Sequence, residues 1–375
     1  MNNSKPSHVL AERGASVGLI SLLRPEAMNA LSLGMIGDIT QALLQWRDDP
    51  EVQLVALRGS NKAGAAGTPE RWFGHFCAGG DIRFFHDAAK AGDSALDDFF
   101  TQEYALNHLI QTYGKPIVAF MDGVVMGGGM GLCQGIALRI VTEKTKMAMP
   151  ETKIGLFPDV GGGHFLSRCP GAVGEYLALT GEVIAADTAI TYGLADARMA
   201  ASEQAGLWQS LATTSFASAE QALSFLKARL PEMGADTGSG ASLPAVLQAA
   251  FALPTVAQIL AALDAGSDAL SQQTAAALRE RSPLMLHVTL EQIRRARSMD
   301  LADELRMEWD MVWRCFHHRP VADSETVEGI RALAVDKDHQ PRWKPAHIAD
   351  VDPAEVAQFF ISPVAPEAHP LRHLR

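Results

Sequence analysis

Cysteine is scarce, with four in 375 residues. Cys77, Cys133, Cys169 and Cys315 form no C-x-x-C pair, which excludes a disulfide framework and a cysteine-based zinc site. Their scarcity is what a reducing, cytoplasmic setting predicts. Positive charge is also in short supply: 32 Lys plus Arg face 43 Asp plus Glu, a net charge of −11. A surface so negative excludes non-specific nucleic-acid binding. It leaves room for a small anionic ligand, because backbone N–H groups bind anions without net positive charge. The start, Met1 to Pro6, is polar and lacks the apolar centre of a signal peptide. The longest apolar stretch, Pro116 to Val141, carries Asp122, Gln134 and Arg139 and is broken by six glycines. It is read as strand, turn and buried helix in a globular core, not as a membrane span.

Hydrophobic residues make up 47% and charged residues 20% of the chain, a globular balance. The length suits one large domain with an appendage, or two domains. Ser16 to Leu23, Val52 to Leu57, Ile117 to Met121 and Leu138 to Val141 read as strands. Ser32 caps a helix whose Met35, Ile36, Ile39, Leu43 and Leu44 are placed on one face. Strands alternating with helices predict an α/β fold. Asn61 to Gly67 reads as a Gly/Ala-rich loop. After about Ala200 the chain becomes Ala/Leu/Gln-rich with helical spacing in Ala219 to Leu230, Val246 to Ala252 and Thr274 to Glu280, with a Gly/Ser loop at Met233 to Leu243. The expected division is therefore a core domain over 1–200 and a mainly helical region over 201–375.

Several catalytic patterns fail. Gly14-Ala15-Ser16-Val17-Gly18 fits G-x-S-x-G, but that elbow needs a strand before its serine, and Ser16 opens one. Gly114-Lys115 lacks the upstream glycine of a P-loop. Neither Gly127 to Gly131 nor Gly161 to Gly163 completes G-x-G-x-x-G, and no H-E-x-x-H is present.

Three segments carry chemistry. Phe76-Cys77-Ala78-Gly79-Gly80-Asp81-Ile82 and Met126-Gly127-Gly128-Gly129-Met130-Gly131 are small-residue turns that leave backbone N–H groups bare and let a ligand approach closely. Two such donors aimed at one point form an oxyanion hole; read alone, each is equally a tight turn. Met149 to Gly163 places two carboxylates, Glu151 and Asp159, in a Gly/Pro-rich loop. There they can act as general bases, or serve as a cap or a surface salt bridge.

Taken together, the three segments resemble the crotonase superfamily, also called the enoyl-CoA hydratase/isomerase family. The resemblance begins at Arg24-Pro25-Glu26-Ala27-Met28-Asn29-Ala30-Leu31, similar to that family's R-P-x-x-x-N-A-L, and continues through Tyr192-Gly193-Leu194-Ala195-Asp196. It implies an α/β crotonase-like fold of stacked ββα units with a helical C-terminal region, and an acyl-CoA thioester as substrate. By motif position the N–H groups of Gly80 and Gly128 are the expected donors to the thioester carbonyl. A hydratase of this family uses a glutamate after its glycine run, where this chain has Gly131, and a second that matches Glu151. Asp159 stands where hydratases commonly carry glycine. The segment around Glu151 and Asp159 is similar to a branch of 3-hydroxyacyl-CoA thioester hydrolases of valine breakdown. So are Arg281-Ser282-Pro283 with Leu290, where that branch's second Ser is Met285, Glu328-Gly329-Ile330-Arg331-Ala332, and Asp336-Lys337-Asp338 with Pro341, Trp343, Lys344 and Pro345.

The resemblance therefore implies hydrolysis of a short 3-hydroxyacyl-CoA such as 3-hydroxyisobutyryl-CoA. Glu151 is the expected base or nucleophile, and Asp159 the group that orients the 3-hydroxyl or the water. Glu103 matches a binding carboxylate, against the alternative of a solvated helix glutamate. Glu26, Ala27, Ala78, Asp81 and Ile82 match the CoA nucleotide groove. Enoyl-CoA hydration or isomerisation and a non-catalytic acyl-CoA-binding subunit stay open as alternatives. No metal and no cofactor apart from the substrate's own CoA is implied, nor a nucleic-acid or membrane partner, while a homo-oligomer is allowed.

Overall fold

The computed structural model describes residues 7–62, 72–230 and 242–375. Most of the loops expected at Asn61 to Gly67 and at Met233 to Leu243 lie outside these residues. The strands are β1 (Val9–Arg13), β2 (Val17–Leu22), β3 (Leu54–Arg58), β4 (Ile117–Met121), β5 (Val124–Met126), β6 (Leu138–Val141), β7 (Lys146–Ala148), β8 (Ile184–Ala185) and β9 (Ala197–Arg198); β2, β3, β4 and β6 are the four expected from the sequence, with small shifts in the first two. The second expected strand starts two residues late, because the Val52 N–H donates to the Asp49 carbonyl in a turn.

Two compact units divide the chain, and they interleave in sequence. The first comprises Met1–Gly80, Leu109–Met147 and Ile184–Gly240. Its main sheet runs β1-β2-β3-β4-β6-β9, with a smaller sheet β5-β7-β8. Only the β1–β2 pair of the main sheet is antiparallel; β2 through β9 are parallel. Parallel strands are covered on both faces, so β2, β3 and β4 are buried along their whole length and apolar except for Ser21 and Arg58. Strand β1 closes an edge and turns Glu12 and Arg13 to solvent, which discourages pairing with another chain. The helix Leu33–Arg47 starts at the Ser32 cap, whose hydroxyl accepts from the Met35 N–H. Leu44 is 42% exposed, contrary to expectation: it lies about 100° round the helix from Leu43, and Ala42 and Trp46 complete the buried face instead.

The second unit comprises Asp81–His108, Ala148–Val183 and Ala241–Arg375. It is built mostly of helices, among them Ile82–Ala91, Val173–Thr180, Pro283–Ala296 and Leu301–His317. The division expected at residue 200 falls inside the first unit. Leu207, Trp208, Leu211, Ala222 and Leu226, on the two helices that follow residue 200, share a core with Val17, Leu54, Val118, Phe120 and Ile140 of the main sheet. Apolar burial against the sheet overrides the change in composition on which that boundary rested.

Ser16 is no nucleophile. Its Oγ accepts from the Phe216 N–H at 2.8 Å and donates to the Thr214 carbonyl at 3.3 Å, and it lies in the turn just before β2.

Candidate active site

In the first unit the two glycine turns converge. The Pro25–Ala27 turn is followed by Met28 and Asn29 in left-handed conformations, φ 50° and 58°. Asn29 is fully buried and locks this loop. Its Nδ2 donates to the Ser60 and His75 carbonyls at 3.0 and 2.6 Å, and its Oδ1 accepts from the Arg24 N–H at 2.9 Å. The Asn of the R-P-x-x-x-N-A-L motif is thus a scaffold residue. It sets Met28 and Leu31 to hold the next turn: Ala78 N–H donates to Met28 O, and Leu31 N–H to Gly79 O. On the other side the Cys77 N–H donates to Val124 O and the Met126 N–H to Cys77 O.

Pinned from both sides, Gly79 adopts φ +101°, and a Cβ there would lie 3.6 Å from the Gly128 nitrogen. Gly127, at φ 49° and ψ −124°, turns the chain into the short helix Gly128–Gly131. Among the described residues no hydrogen bond is recorded for the N–H of Gly80 or of Gly128. A helix's first N–H groups have no intrahelical partner, so Gly128 is a natural free donor. Gly129 permits this approach, since a Cβ there would stand 2.4 Å from the Cys77 carbonyl oxygen. Gly129→Ala is therefore expected to cost about 1–3 kcal/mol of stability. A urea-unfolding midpoint equal to that of the parent would show that the two turns are not pressed together. Glu26 is exposed on this unit, and Ala27 and Ala78 are half-buried.

The second unit gathers the acids. Asp81, its first residue, caps the helix Ile82–Ala91 by accepting from the Phe84 N–H, with Ile82 opening that helix. Glu103, Glu151 and Asp159 are each almost wholly buried. None makes an ion pair among the described residues, and neither the turn Glu151–Ile154 nor the helix Gly162–Leu166 has a side-chain cap, so the cap and surface salt-bridge readings of Glu151 and Asp159 fall away. Glu103 is likewise no solvated helix glutamate. One oxygen of Glu103 and one of Glu151 have no hydrogen-bond partner among the described residues. Asp159 accepts from the Tyr104 hydroxyl at 2.9 Å.

Burial and mutual repulsion raise all three acids. Asp159 is pushed up to about 7 by burial and then by the Glu308 charge. Glu151 is held well above the carboxylate range by burial, then by Asp159 and Glu308. Glu103 is raised by burial, then by Asp159, Glu151 and Glu308. A cluster in which burial and neighbouring charges separate the pKa values of several acids is a setting for acid–base chemistry.

The C-terminal motifs brace the Glu151 turn. The Ser282 N–H donates to the Thr152 carbonyl, and the Thr326 hydroxyl to the Gly155 carbonyl. Gly155, at φ +68°, leaves 2.2 Å between a notional Cβ and the Glu325 carbonyl oxygen, and Gly329 comes as close to Ile154. Arg331 ties Glu328 to Asp336 and Asp338, which accounts for the acidic residues of those motifs as structural.

Three neighbours of the acids escaped the sequence: Tyr104, Gln292 and Glu308. One signal was available. Glu304 and Glu308 recur at helical spacing with Leu305, Trp309 and Val312 on the buried face of Leu301–His317, where acids are out of place. Four cysteines are free and buried. Among the described residues no cluster could hold a metal ion, and no helix is long and apolar enough to cross a membrane.

The sequence profile of the enoyl-CoA hydratase/isomerase family matches residues 17–360, and the chain belongs to that family. Crystal structures of a carnitinyl-CoA dehydratase from Mycobacterium thermoresistibile and an enoyl-CoA hydratase from Rhodobacter sphaeroides share its crotonase fold. Their TM-scores are 0.82 and 0.81 at 36% identity, covering 96% and 95% of this chain and 98% of each of theirs. Among curated relatives, the mitochondrial 3-hydroxyisobutyryl-CoA hydrolase of Xenopus laevis is 36% identical over 361 residues, 96% of this chain and 90% of its own. Its human counterpart is 35% identical over 357 residues, 94% of this chain and 88% of its own.

Proposed function

We propose that this protein hydrolyses a short-chain 3-hydroxyacyl-CoA thioester, 3-hydroxyisobutyryl-CoA giving 3-hydroxyisobutyrate and CoA. The observation that carries this is the buried pairing of Glu151 with a Tyr104-bonded Asp159, in a chain with Gly131 where a hydratase has its other glutamate. The names of the curated relatives support the same reading.

The thioester carbonyl oxygen accepts from the Gly80 and Gly128 N–H groups, and loss of one such donor costs about 2.7–4 kcal/mol of transition-state stabilisation. Glu151 takes a proton from the attacking water, or itself attacks the carbonyl carbon to give a mixed anhydride that water then opens. Either way the C–S bond breaks, and the departing thiolate takes up a proton. Asp159 orients the 3-hydroxyl or the water. Glu103, raised by burial and its acidic neighbours, serves as a substrate-binding carboxyl. Backbone atoms of Glu26, Ala27, Ala78, Asp81 and Ile82 line the groove for the CoA nucleotide. No step calls for a metal or a separate cofactor. A place in valine catabolism and a reducing compartment such as the cytoplasm are part of the proposal, the latter resting on the buried free cysteines; the curated relatives are named as mitochondrial.

A thiol-release assay across a small acyl-CoA panel tests this, and 3-hydroxyisobutyryl-CoA is expected to turn over fastest. The solved relatives described as a dehydratase and a hydratase favour a second reading, hydration of an enoyl-CoA. Loss of the enoyl absorbance of crotonyl-CoA without thiol release would establish it. Tight CoA-ester binding without turnover would instead mark a non-catalytic subunit. Because CoA is anionic and the chain carries −11, long-range repulsion opposes binding. Added salt screens that repulsion, so KM is expected to fall from low to moderate ionic strength. A clear rise would show that local cations dominate.

A further inference from the structure

The loop that carries Asp159 is held in a costly shape. Val160 sits at φ 59°, in the left-handed region that a β-branched residue rarely enters, and is fully buried. Such a conformation persists only where the surroundings over-determine it. Here they do so from both sides of Asp159. Upstream, Gln292 Nε2 donates to the Pro158 carbonyl at 2.7 Å. Downstream, Glu308 accepts from the Gly161 N–H at 2.7 Å through Oε2 and from the Gly163 N–H at 3.1 Å through Oε1. Gln292 Nε2 also reaches Glu308 Oε1 at 3.0 Å, so the two tethers are one network. Glu308 and Gln292 are wholly buried, on the helices Leu301–His317 and Pro283–Ala296. Burying a carboxylate is expensive, and a loop could be tied by a neutral side chain. Glu304, one turn before Glu308, adds a second buried acid at the same loop: a Cβ on Gly163 would fall 2.3 Å from its Oε1.

We propose that Glu308 is a positioning residue for Asp159: with Gln292 it clamps the Pro158–Gly163 loop on both sides of the aspartate, holding Val160 in its strained turn and Asp159 against Tyr104. Its catalytic consequence rests on the thioesterase reading; the clamp itself does not.

Glu308→Gln tests it, since the carboxamide nitrogen cannot accept a hydrogen bond and one of the two loop amides loses its partner. The variant is expected to lower kcat about 10- to 100-fold while KM for 3-hydroxyisobutyryl-CoA stays within about twofold. In an Asp159→Asn background the same change should cause almost no further loss, whereas an unspecific structural defect lowers both backgrounds equally. Amide exchange at Gly161 and Gly163 should rise in Glu308→Gln whether or not the protein turns over any ester. If Glu308→Gln does not fold, Gln292→Leu, which removes the upstream tether and the Gln292–Glu308 bond but leaves the Glu308 bonds to Gly161 and Gly163, is expected to show the same pattern at smaller size. Unchanged kcat with unchanged exchange, or full additivity with Asp159→Asn, overturns the proposal. Faster exchange in the variant together with no thiol release by the parent would keep the clamp and sink the thioesterase reading instead.

Discussion

Replacing Glu151 with glutamine is expected to lower kcat for thiol release by about 10²- to 10⁴-fold, the usual contribution of a positioned acid–base group. The substitution is close to isosteric, and the turn that carries Glu151 is fixed by bonds its side chain does not make. The Thr152 carbonyl accepts from the Ser282 N–H, and the Thr152 hydroxyl donates to the Leu179 carbonyl at 3.2 Å. Stability should therefore hold. A neutral carboxamide also suits the site better than a charge, because burial and the neighbouring Asp159 and Glu308 hold the Glu151 acid well above its ordinary range. A melting temperature equal to or above that of the parent, with KM little changed, would separate lost chemistry from lost fold. Retention of most thiol release would remove Glu151 as base and as nucleophile alike. Label in the Glu151 carboxylate after a single turnover in ¹⁸O-water would establish the anhydride route, because it enters there only when water opens an anhydride at the enzyme's own carbonyl carbon.

What the sequence made legible is local. Ile117–Met121 was readable as an unbroken apolar run and Leu138–Val141 as a short apolar one interrupted by Arg139, and they form strands with those bounds. The Ser32 cap and the glycine turns at Gly79–Gly80 and Gly127–Gly128 declare themselves through residues whose conformational needs are their own. The acid cluster was only half legible. Glu151 and Asp159 are eight positions apart in one loop, but what makes them unusual is burial, and that depends on distant partners. Tyr104 reaches Asp159 across 55 residues, and Glu308 reaches Gly161 across 147. No spacing rule spans such separations. The same limit explains the boundary expected at residue 200. Residues 81–108 and 148–183 leave the sheet-bearing unit, whereas the helices after 200 stay with it, because long-range burial decides membership and local composition does not.

The second large effect expected is on pH. With Asp159 pushed up to about 7, its carboxylate form is a minority species in mild acid. If that form orients the reacting hydroxyl or water, kcat/KM should rise about tenfold per pH unit from 5 to near 7 and then level off. The groups facing Asp159 are Tyr104 and Glu103 from one helix, Glu151 from its turn, and Glu308 from Leu301–His317. All are acids, so each further ionisation opposes the next and the profile should approach its plateau more gradually than a single titration. Stability should move the opposite way. Asp159 and Glu304, both raised to about 7, keep protons in the folded chain that the unfolded chain has released by then. Between about pH 4 and 7 the folded state binds the extra protons, so these two groups lower stability as pH rises through that window. Activity and thermal stability measured over the same buffers should therefore cross, one climbing as the other falls. Asp159→Asn is expected to flatten the acid limb of the rate profile and to weaken the fall in stability together. A variant that keeps the full acid limb would assign the titration to another member of the cluster, Glu151 being the next group in line, and would leave Asp159 as a reader of the substrate's hydroxyl alone.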